Sequence, residues 1–261
     1  MPTFIGLDLA WTAHRESVPY ESGLCVLESA QGSDLKCTRI EAARHHISDL
    51  AQQVDDTDSA VLVAIDAPLI VTEGRRADKE VSKVFGYPYY AGPYTATPAW
   101  LDQGDMWAGP RLGGLLERLG FDLDPSTLQY GGRLGRVAIE VYPHPIHVSL
   151  FDLPQRIPYK KGSLAKKRGG LRVYQSHLQR YLAANAPGVL ENVKVRKALD
   201  PATLEGLKGS SRKGIPTLKH YEDTLDALTC ALYAWLTWHR PQDWKIYGDM
   251  NGYIVAPLPP N

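Results

Sequence analysis

The chain has 261 residues, and 29 Lys and Arg residues balance 29 Asp and Glu residues, so its formal net charge is zero. A hydrophobic fraction of 44% and a charged fraction of 22% exclude wholesale disorder, collagen and coiled coils. No apolar segment reaches the roughly 18 residues that a membrane span needs, and no signal peptide is evident. Three widely spaced cysteines (Cys25, Cys37 and Cys230) indicate reduced thiols. We therefore expect a cytoplasmic protein that does not enter membranes.

The charges are distributed unevenly along the chain. Residues 155–219 carry 15 Lys and Arg against 3 Asp and Glu, which leaves 14 basic and 26 acidic residues elsewhere. Such a split indicates contact with a polyanion through one face, although a solvated basic loop produces the same pattern. The densest basic patch includes one aromatic residue, Tyr159, and consists otherwise of Lys160, Lys161, Lys166, Lys167 and Arg168.

Apolar patterning in the first quarter of the chain predicts a sheet with a helix. Thr3–Leu9, Ser22–Glu28 and Leu35–Ile40 are typical of three strands in an antiparallel meander. Helical spacing follows in Glu41–Val54, and Ala60–Ile65 is a continuous apolar run typical of a strand that is buried on both faces. The order β-β-β-α-β predicts a mixed sheet beneath at least one helix.

The character of the sequence changes after Asp66. Residues 67–135 are rich in Gly, Pro, Tyr and Trp, so we expect an insertion or lid with one short helix near Arg111–Leu119. A further strand and two helices are predicted at Gly135–Tyr142, Leu171–Ala184 and Asp223–Trp238. The tail from Trp244 is short and ends in prolines. The whole chain is expected to form one domain.

Several carboxylates lie at or near the ends of strands that are predicted to be buried. Asp8 and Asp66 belong to the first and fourth strands, and Glu140 belongs to the fifth. An ionised carboxylate in an apolar strand is costly unless it is paired or binds a metal. One such residue is more often a cap or a buried ion pair, but several at element ends favour a metal site.

The last predicted helix adds a pair of aspartates. Asp223 and Asp226 are three residues apart and share a face of its predicted first turn, where the helix dipole alone favours carboxylates. Asp226 nevertheless lies beside the apolar stripe, which a metal explains better. If the first and fourth strands are neighbours, these groups converge on a Mg²⁺ or Mn²⁺ site. Two such ions about 4 Å apart would serve phosphodiester cleavage.

These residues resemble a known family. The order β-β-β-α-β, with Asp8 on the first strand, Asp66 on the fourth and Asp223 and Asp226 on the last helix, resembles the ribonuclease H-like superfamily. More narrowly, the strings GLDLAW, IDAPL, EVYPHP, DTLDALTCALYAW and GYIVAP, in this order, are similar to domain-of-unknown-function family 429, whose members are predicted nucleases. The likeness covers nearly the whole chain. It implies an α/β fold with a mixed five-stranded sheet flanked by helices and a large insertion after the fourth strand. It also implies a divalent-metal nuclease with Asp8, Asp66, Asp223 and Asp226 as ligands.

Ribonuclease H enzymes carry a further carboxylate on the first helix, for which Glu41 and Asp49 are candidates here. Glu140 resembles this family's own acidic residue, so we assign it as a ligand or general base. The predicted catalytic set is Asp8, Asp66, Glu140, Asp223 and Asp226.

Nucleic acid, DNA or RNA, is the expected substrate. The predicted substrate-binding residues are Arg75, Arg76, His144, Tyr159, Lys160 and Arg168. Arg75 and Arg76 follow Asp66 closely enough to reach the same cleft, where they would bind phosphate. His220 is interpreted as a helix cap in preference to a proton shuttle.

The sequence also leaves open two alternatives to a nuclease. An actin-like ATP-dependent phosphotransferase shares the strand order, but Ala10 stands where that class needs a glycine. The other alternative is a non-catalytic protein that binds nucleic acid or nucleotides. The intact carboxylates argue against it.

Overall fold

The computed structural model describes residues 1–10, 19–29, 34–56, 60–128, 135–207 and 217–260. Within these ranges the chain is built around a five-stranded sheet with helices packed on both faces. The strands of this sheet are β1 (Thr3–Leu9), β2 (Tyr20–Ser29), β3 (Leu35–His45), β4 (Val61–Asp66) and β5 (Arg136–Glu140).

The order of the strands across the sheet is β3-β2-β1-β4-β5. The first three strands pair antiparallel, whereas β4 runs parallel to both β1 and β5. The predicted mixed five-stranded sheet flanked by helices is confirmed. Strands one and four are neighbours, which is the condition on which convergence of the carboxylates depended.

The helices fall between and after these strands. They are α1 (Ile47–Asp55), α2 (Ala77–Phe85), α3 (Pro98–Gly104), α4 (Ala108–Arg118), α5 (Pro143–Leu150), α6 (Leu164–Asn185), α7 (Val193–Ala198), α8 (Pro201–Glu205) and α9 (Leu218–His239). Short 3₁₀ turns occupy Pro125–Leu128, Pro187–Glu191 and Pro241–Asp243. A hairpin of β6 (Trp244–Asp249) and β7 (Gly252–Pro257) ends the described chain. Among the described residues, no helix has the length and apolarity needed to cross a bilayer.

The sheet separates two apolar cores. Residues such as Phe4, Ala64 and Ile139 pack with α6 and α9 on one face, while neighbours such as Ile5 and Ile65 pack with α1 and α4 on the other. All seven residues of β1 and all six of β4 are buried. This explains the continuous apolar run of β4, because a central parallel strand has no solvent face.

Two glycines set the position of α9 on the sheet. A Cβ atom on Gly6 of β1 would lie 2.0 Å from the Ala227 carbonyl oxygen, and one on Gly23 of β2 would lie 2.0 Å from the Asp223 carbonyl oxygen. No side chain fits at those distances, so the helix backbone rests directly on the two strands. This close approach delivers the α9 aspartates to the end of β1.

The predicted helix over Glu41–Val54 is wrong in its first third. Strand β3 continues to His45, and α1 begins only at Ile47. The cause is tertiary: β2 extends back to Tyr20, so Arg44 pairs across from Glu21 and the ladder outweighs local helical spacing.

The two long C-terminal helices begin earlier than predicted. Ser163 caps α6, and a capping box of Thr217 and His220 starts α9. The preferred interpretation of His220 as a cap is therefore confirmed. Asp223 and Asp226 lie beyond the first turn of α9, so the helix dipole does not account for them.

Between β4 and β5, residues 67–128 and 135 are described and contain three α-helices, α2, α3 and α4, where one helix was predicted. The prediction near Arg111–Leu119 corresponds to α4. Helix α3 was missed because it is short and follows a stretch rich in Gly, Pro and Tyr, although Thr97 caps it and Pro98 occupies its first turn. The C-terminal hairpin was missed as well, because the left-handed glycines that turn it, Gly248 and Gly252, interrupt the apolar alternation.

Candidate metal centre

Asp8 and Asp66 lie side by side at the carboxyl edge of the sheet. Strands β1 and β4 are parallel, and their register pairs Asp8 directly with Asp66. Side chains alternate along a strand, so both point to the face that carries α9. The exposed fractions of the two residues are only 3% and 5%.

Helix α9 adds Asp226, which is completely buried. One carboxylate oxygen from each of Asp8, Asp66 and Asp226 lies within 4.8 Å of the other two. We call these three residues the carboxylate cluster. The sequence predicted these three residues as ligands together with Asp223, and the structure brings the three side chains together.

Lys160 and Tyr159 reach into this cluster from the segment before α6. The Lys160 ammonium lies 3.3 Å from Asp66 Oδ2 and 2.9 Å from Asp226 Oδ2. The Tyr159 hydroxyl donates a hydrogen bond of 2.8 Å to Asp226 Oδ1. Gly170 of α6 permits this placement, because a Cβ atom there would lie 2.4 Å from the Pro158 carbonyl oxygen.

Burial raises the pKa values of these acids, whereas the nearby positive charge of Lys160 lowers them. Burial, with help from the neighbouring Asp8 and Asp226 charges, raises the pKa of Asp66 to about 7 despite the opposing effect of Lys160. Burial also disfavours ionised Asp226, but Lys160 and Tyr159 outweigh it and hold the pKa of Asp226 below its ordinary value. The cluster therefore combines one firmly ionised carboxylate with one that titrates near neutral pH.

Asp223 lies beside Asp8 but outside the group of three. It is buried and forms an ion pair with Lys219, one turn earlier on α9. Burial and the Asp8 charge raise the pKa of Asp223 well above its ordinary value. Asp8 Oδ2 and Asp223 Oδ2 are both buried and accept no hydrogen bond from any described residue.

Glu140 is not brought to the carboxylate cluster. The β4–β5 register pairs it with Ile65, one residue before Asp66, so its side chain points to the opposite face of the sheet. There Arg75 donates to both of its oxygens, and the Leu69 amide donates to Oε2 at 3.0 Å. Asp78 completes this group, which we call the arginine cluster (Arg75, Asp78 and Glu140).

The remaining predicted substrate contacts are engaged within the protein. Arg75 is buried in the arginine cluster, and the exposed Arg76 pairs with Asp249 at 2.6 Å. His144 is buried, with its ring 5.3 Å from those of Tyr142 and Tyr159. Arg168 donates to the Leu207 carbonyl oxygen. Sequence reasoning had no signal that Tyr159 and Lys160 enter the carboxylate cluster.

A cavity of about 370 Å³ opens beside the carboxylate cluster. Its charged lining residues are Asp8, Asp66, Asp78, Glu140, Lys160, Lys219 and Glu222, so the opening also reaches the edge of the arginine cluster. Most of the other lining residues are aromatic or apolar and include Pro93, Tyr94, Trp100, Met106 and Tyr142. The predicted insertion therefore contributes part of the cavity wall over the cluster.

The residues present suit a hard divalent cation. Mg²⁺ and Mn²⁺ prefer oxygen ligands and commonly bind two or three carboxylates together with water and substrate oxygens. The cluster offers an all-oxygen donor set, and the orphaned Asp8 Oδ2 is a buried acceptor that a cation would satisfy. The donor chemistry and the orphaned oxygen both fit a divalent metal.

The fold and the site together define an α/β protein with a carboxylate centre at the sheet edge. By sequence, the chain belongs to the family described as "Protein of unknown function (DUF429)", whose profile matches residues 6–241. Among solved structures, it is similar to T. thermophilus RuvC in complex with a Holliday junction substrate, with 12% identity over 90% of this chain and 96% of that chain and a TM-score of 0.34. No curated protein matches it.

Proposed function

We propose that this protein is a divalent-metal-dependent nuclease that hydrolyses phosphodiester bonds of DNA or RNA. One observation carries the proposal: Asp8, Asp66 and Asp226 converge from three separate elements within 4.8 Å, beside a cavity. Burying three carboxylates together opposes folding, and the single Lys160 ammonium offsets only part of their charge, so a bound cation would account for the remainder.

Asp8, Asp66 and Asp226 would hold Mg²⁺ or Mn²⁺, and Asp223, adjacent to Asp8, would help to hold a second ion. When bound, such ions lower the pKa of water and stabilise charge on a phosphoryl group. Glu140 is proposed as a support instead of a ligand, because Arg75 engages both of its oxygens.

The surrounding residues prepare the site. Tyr159 fixes the Asp226 carboxylate through its hydrogen bond, and Lys160 neutralises part of the negative charge between Asp66 and Asp226. Exposed lysines that follow, Lys161 and Lys166, would contact the phosphate backbone of a nucleic acid without reading its sequence.

The proposal also covers the domain organisation and the cellular location of the protein. The chain would act as one domain, with residues 67–128 covering the catalytic edge. A cytoplasmic location is supported by the three cysteines, which are all free and buried in the structure.

The test is Mn²⁺-dependent cleavage of labelled single-stranded, duplex and branched DNA and RNA. Asp8→Asn and Asp226→Asn should each lower the cleavage rate about a thousand-fold, because each removes a charged ligand. Neither candidate for a further carboxylate belongs to the cluster, because Glu41 lies in β3 and Asp49 is exposed on α1, on the opposite side of the sheet from α9. Asp49→Asn is therefore the matched control. Its rate should match that of the native chain.

Calorimetry of Mn²⁺ binding accompanies the assay. Binding that is retained in Asp49→Asn and lost in Asp8→Asn supports the site independently of substrate choice. Absence of Mn²⁺ binding in the native chain would overturn the proposal. Metal-dependent ATP turnover without cleavage of any nucleic acid would favour the phosphotransferase instead.

A further inference from the structure

The cavity beside the carboxylate cluster is lined by two kinds of residue. Its carboxylates and two lysines suit a metal and a phosphate group. The second set, which we call the aromatic roof, consists of Pro93, Tyr94, Trp100, Met106 and Tyr142. A ligand with a phosphate group and a flat apolar portion would match both sets.

Internal contacts fix the aromatic roof in place. The Asp78 carboxylate, held by Arg75, accepts a hydrogen bond of 3.1 Å from the Ala96 amide. The next residue, Thr97, caps α3, whose Leu101 is completely buried. The arginine cluster therefore holds the segment that carries Tyr94 and Trp100, and a flat ligand would meet a preformed surface there.

The aromatic rings of the roof differ in their exposure to solvent. The ammonium group of Lys161 lies 4.6 Å from the centroid of the exposed Tyr94 ring, a cation–π contact that holds a positive charge at the rim. Trp100 and Tyr142 are half-buried in the cavity wall. Because both rings line the cavity, they are the candidates for stacking on a flat ligand, while Lys161 is placed for a phosphate.

We propose that this cavity binds one unpaired nucleobase of the substrate, with its phosphate directed to the carboxylate cluster. The inference rests on the proposed nuclease function and names its substrate class: nucleic acid with an unpaired nucleotide at the cut. That class includes single strands, frayed ends and extrahelical nucleotides.

Size and chemistry both support a single base. A volume of about 370 Å³ lies near the lower end of the range for small-ligand sites, roughly 300–1,000 Å³. Aromatic side chains stack on every base, because each base has a π-face. In an intact duplex those faces are covered by neighbouring base pairs, so a base must leave the stack to enter such a cavity.

Binding is measured by fluorescence anisotropy in Ca²⁺. The probes are a labelled 12-nucleotide single strand, the matched duplex and the duplex with one extrahelical nucleotide. The single strand and the extrahelical duplex should bind the native chain at least about tenfold more tightly than the matched duplex. Trp100→Ala should weaken both about 5- to 100-fold, as loss of one stacking contact predicts.

Trp107→Ala is the matched control, because Trp107 is near Trp100 in the chain but does not line the cavity and donates to Asp102. Trp100→Phe keeps an aromatic ring and should recover most of the binding. This recovery separates stacking from any loss of folding in Trp100→Ala. Calorimetry should show unchanged Mn²⁺ binding in all three variants.

The outcomes separate this inference from the nuclease proposal. Equal binding of all three probes, with Trp100→Ala indistinguishable from Trp107→Ala, overturns the base-binding cavity even when Asp8-dependent cleavage is observed. Conversely, Trp100-dependent binding of unpaired probes without any cleavage retains the cavity and overturns the nuclease.

Discussion

The carboxylate cluster and the arginine cluster are two groups of buried charge at the same edge of one sheet. Their members are similarly inaccessible, with exposed fractions of at most 6%. They face opposite sides of the sheet, because the register places Asp66 beside Asp8 but pairs Glu140 with Ile65. Burial alone therefore does not distinguish them.

Hydrogen bonding does distinguish them. All five N–H donors of Arg75 meet an acceptor, two on Asp78, two on Glu140 and one on the Ile70 carbonyl oxygen. In the carboxylate cluster, Asp8 Oδ2 is buried with no hydrogen-bond donor among the described residues. A buried ion group that satisfies its own atoms supports structure, whereas one that leaves an acceptor open is suited to an external cation.

The largest effect is expected from breaking the arginine cluster. Arg75→Met leaves Asp78 and Glu140 buried without their counter-ion and should lower the free energy of unfolding by about 3–5 kcal/mol. Urea denaturation followed by circular dichroism measures this loss. Arg76→Met, which removes the exposed neighbour, should cost less than about 1 kcal/mol. Similar losses in the two variants would show that the arginine cluster is not structural.

A divalent cation should act on the carboxylate cluster alone. Mn²⁺ at a hundred times its dissociation constant should raise the free energy of unfolding of the native chain by about 2.7 kcal/mol. Asp8→Asn should remove this gain, while Asp49→Asn should keep it. Denaturation with and without Mn²⁺ measures the difference. An equal gain in Asp8→Asn would place the cation somewhere else.

The smallest effect concerns the pH dependence of the metal-free protein. Because the pKa of folded Asp66 is raised to about 7, the folded state retains a proton that the unfolded state has released between about pH 4 and 7. Stability from this group therefore falls as pH rises through that window, and the full penalty is present above pH 7. Asp66→Asn lacks this penalty, so its stability relative to the native chain should increase by about 2–3 kcal/mol between pH 5 and pH 8.

Denaturation in EDTA at pH 5 and pH 8 tests this expectation. The advantage of Asp66→Asn should shrink toward pH 5, where native Asp66 is itself protonated. Asp49→Asn, an exposed substitution, should follow the native chain at both pH values. A constant advantage of Asp66→Asn across the range would contradict the raised pKa.

The local pattern of apolar residues was enough to predict much of the fold. The continuous apolar runs predicted β1 and β4, and the apolar stripe predicted α9, because these elements are buried along their length. Prediction failed where tertiary partners decide, as at Glu41–Val54, where pairing with β2 converts predicted helix into strand. It failed also in short elements such as α3, whose few residues carry too little periodicity.

The residues of the candidate site also fall into those that the sequence predicted and those that it did not. Asp8, Asp66 and Asp226 were predicted because a carboxylate in an apolar element is visible in the sequence itself. Glu140 looked equivalent, yet a shift of one residue in register turns a side chain to the other face. The placement of Lys160 depends on the segment between α5 and α6 folding back against Gly170, which local sequence does not encode.

The sequence by itself therefore determined which elements are buried and which carboxylates they carry, because burial and charge are properties of local composition. Only the tertiary structure decided which carboxylates meet, which are neutralised by Arg75, and which share a cavity with the aromatic roof. Those outcomes depend on strand register and on close backbone contacts at Gly6, Gly23 and Gly170, which join residues far apart in the chain.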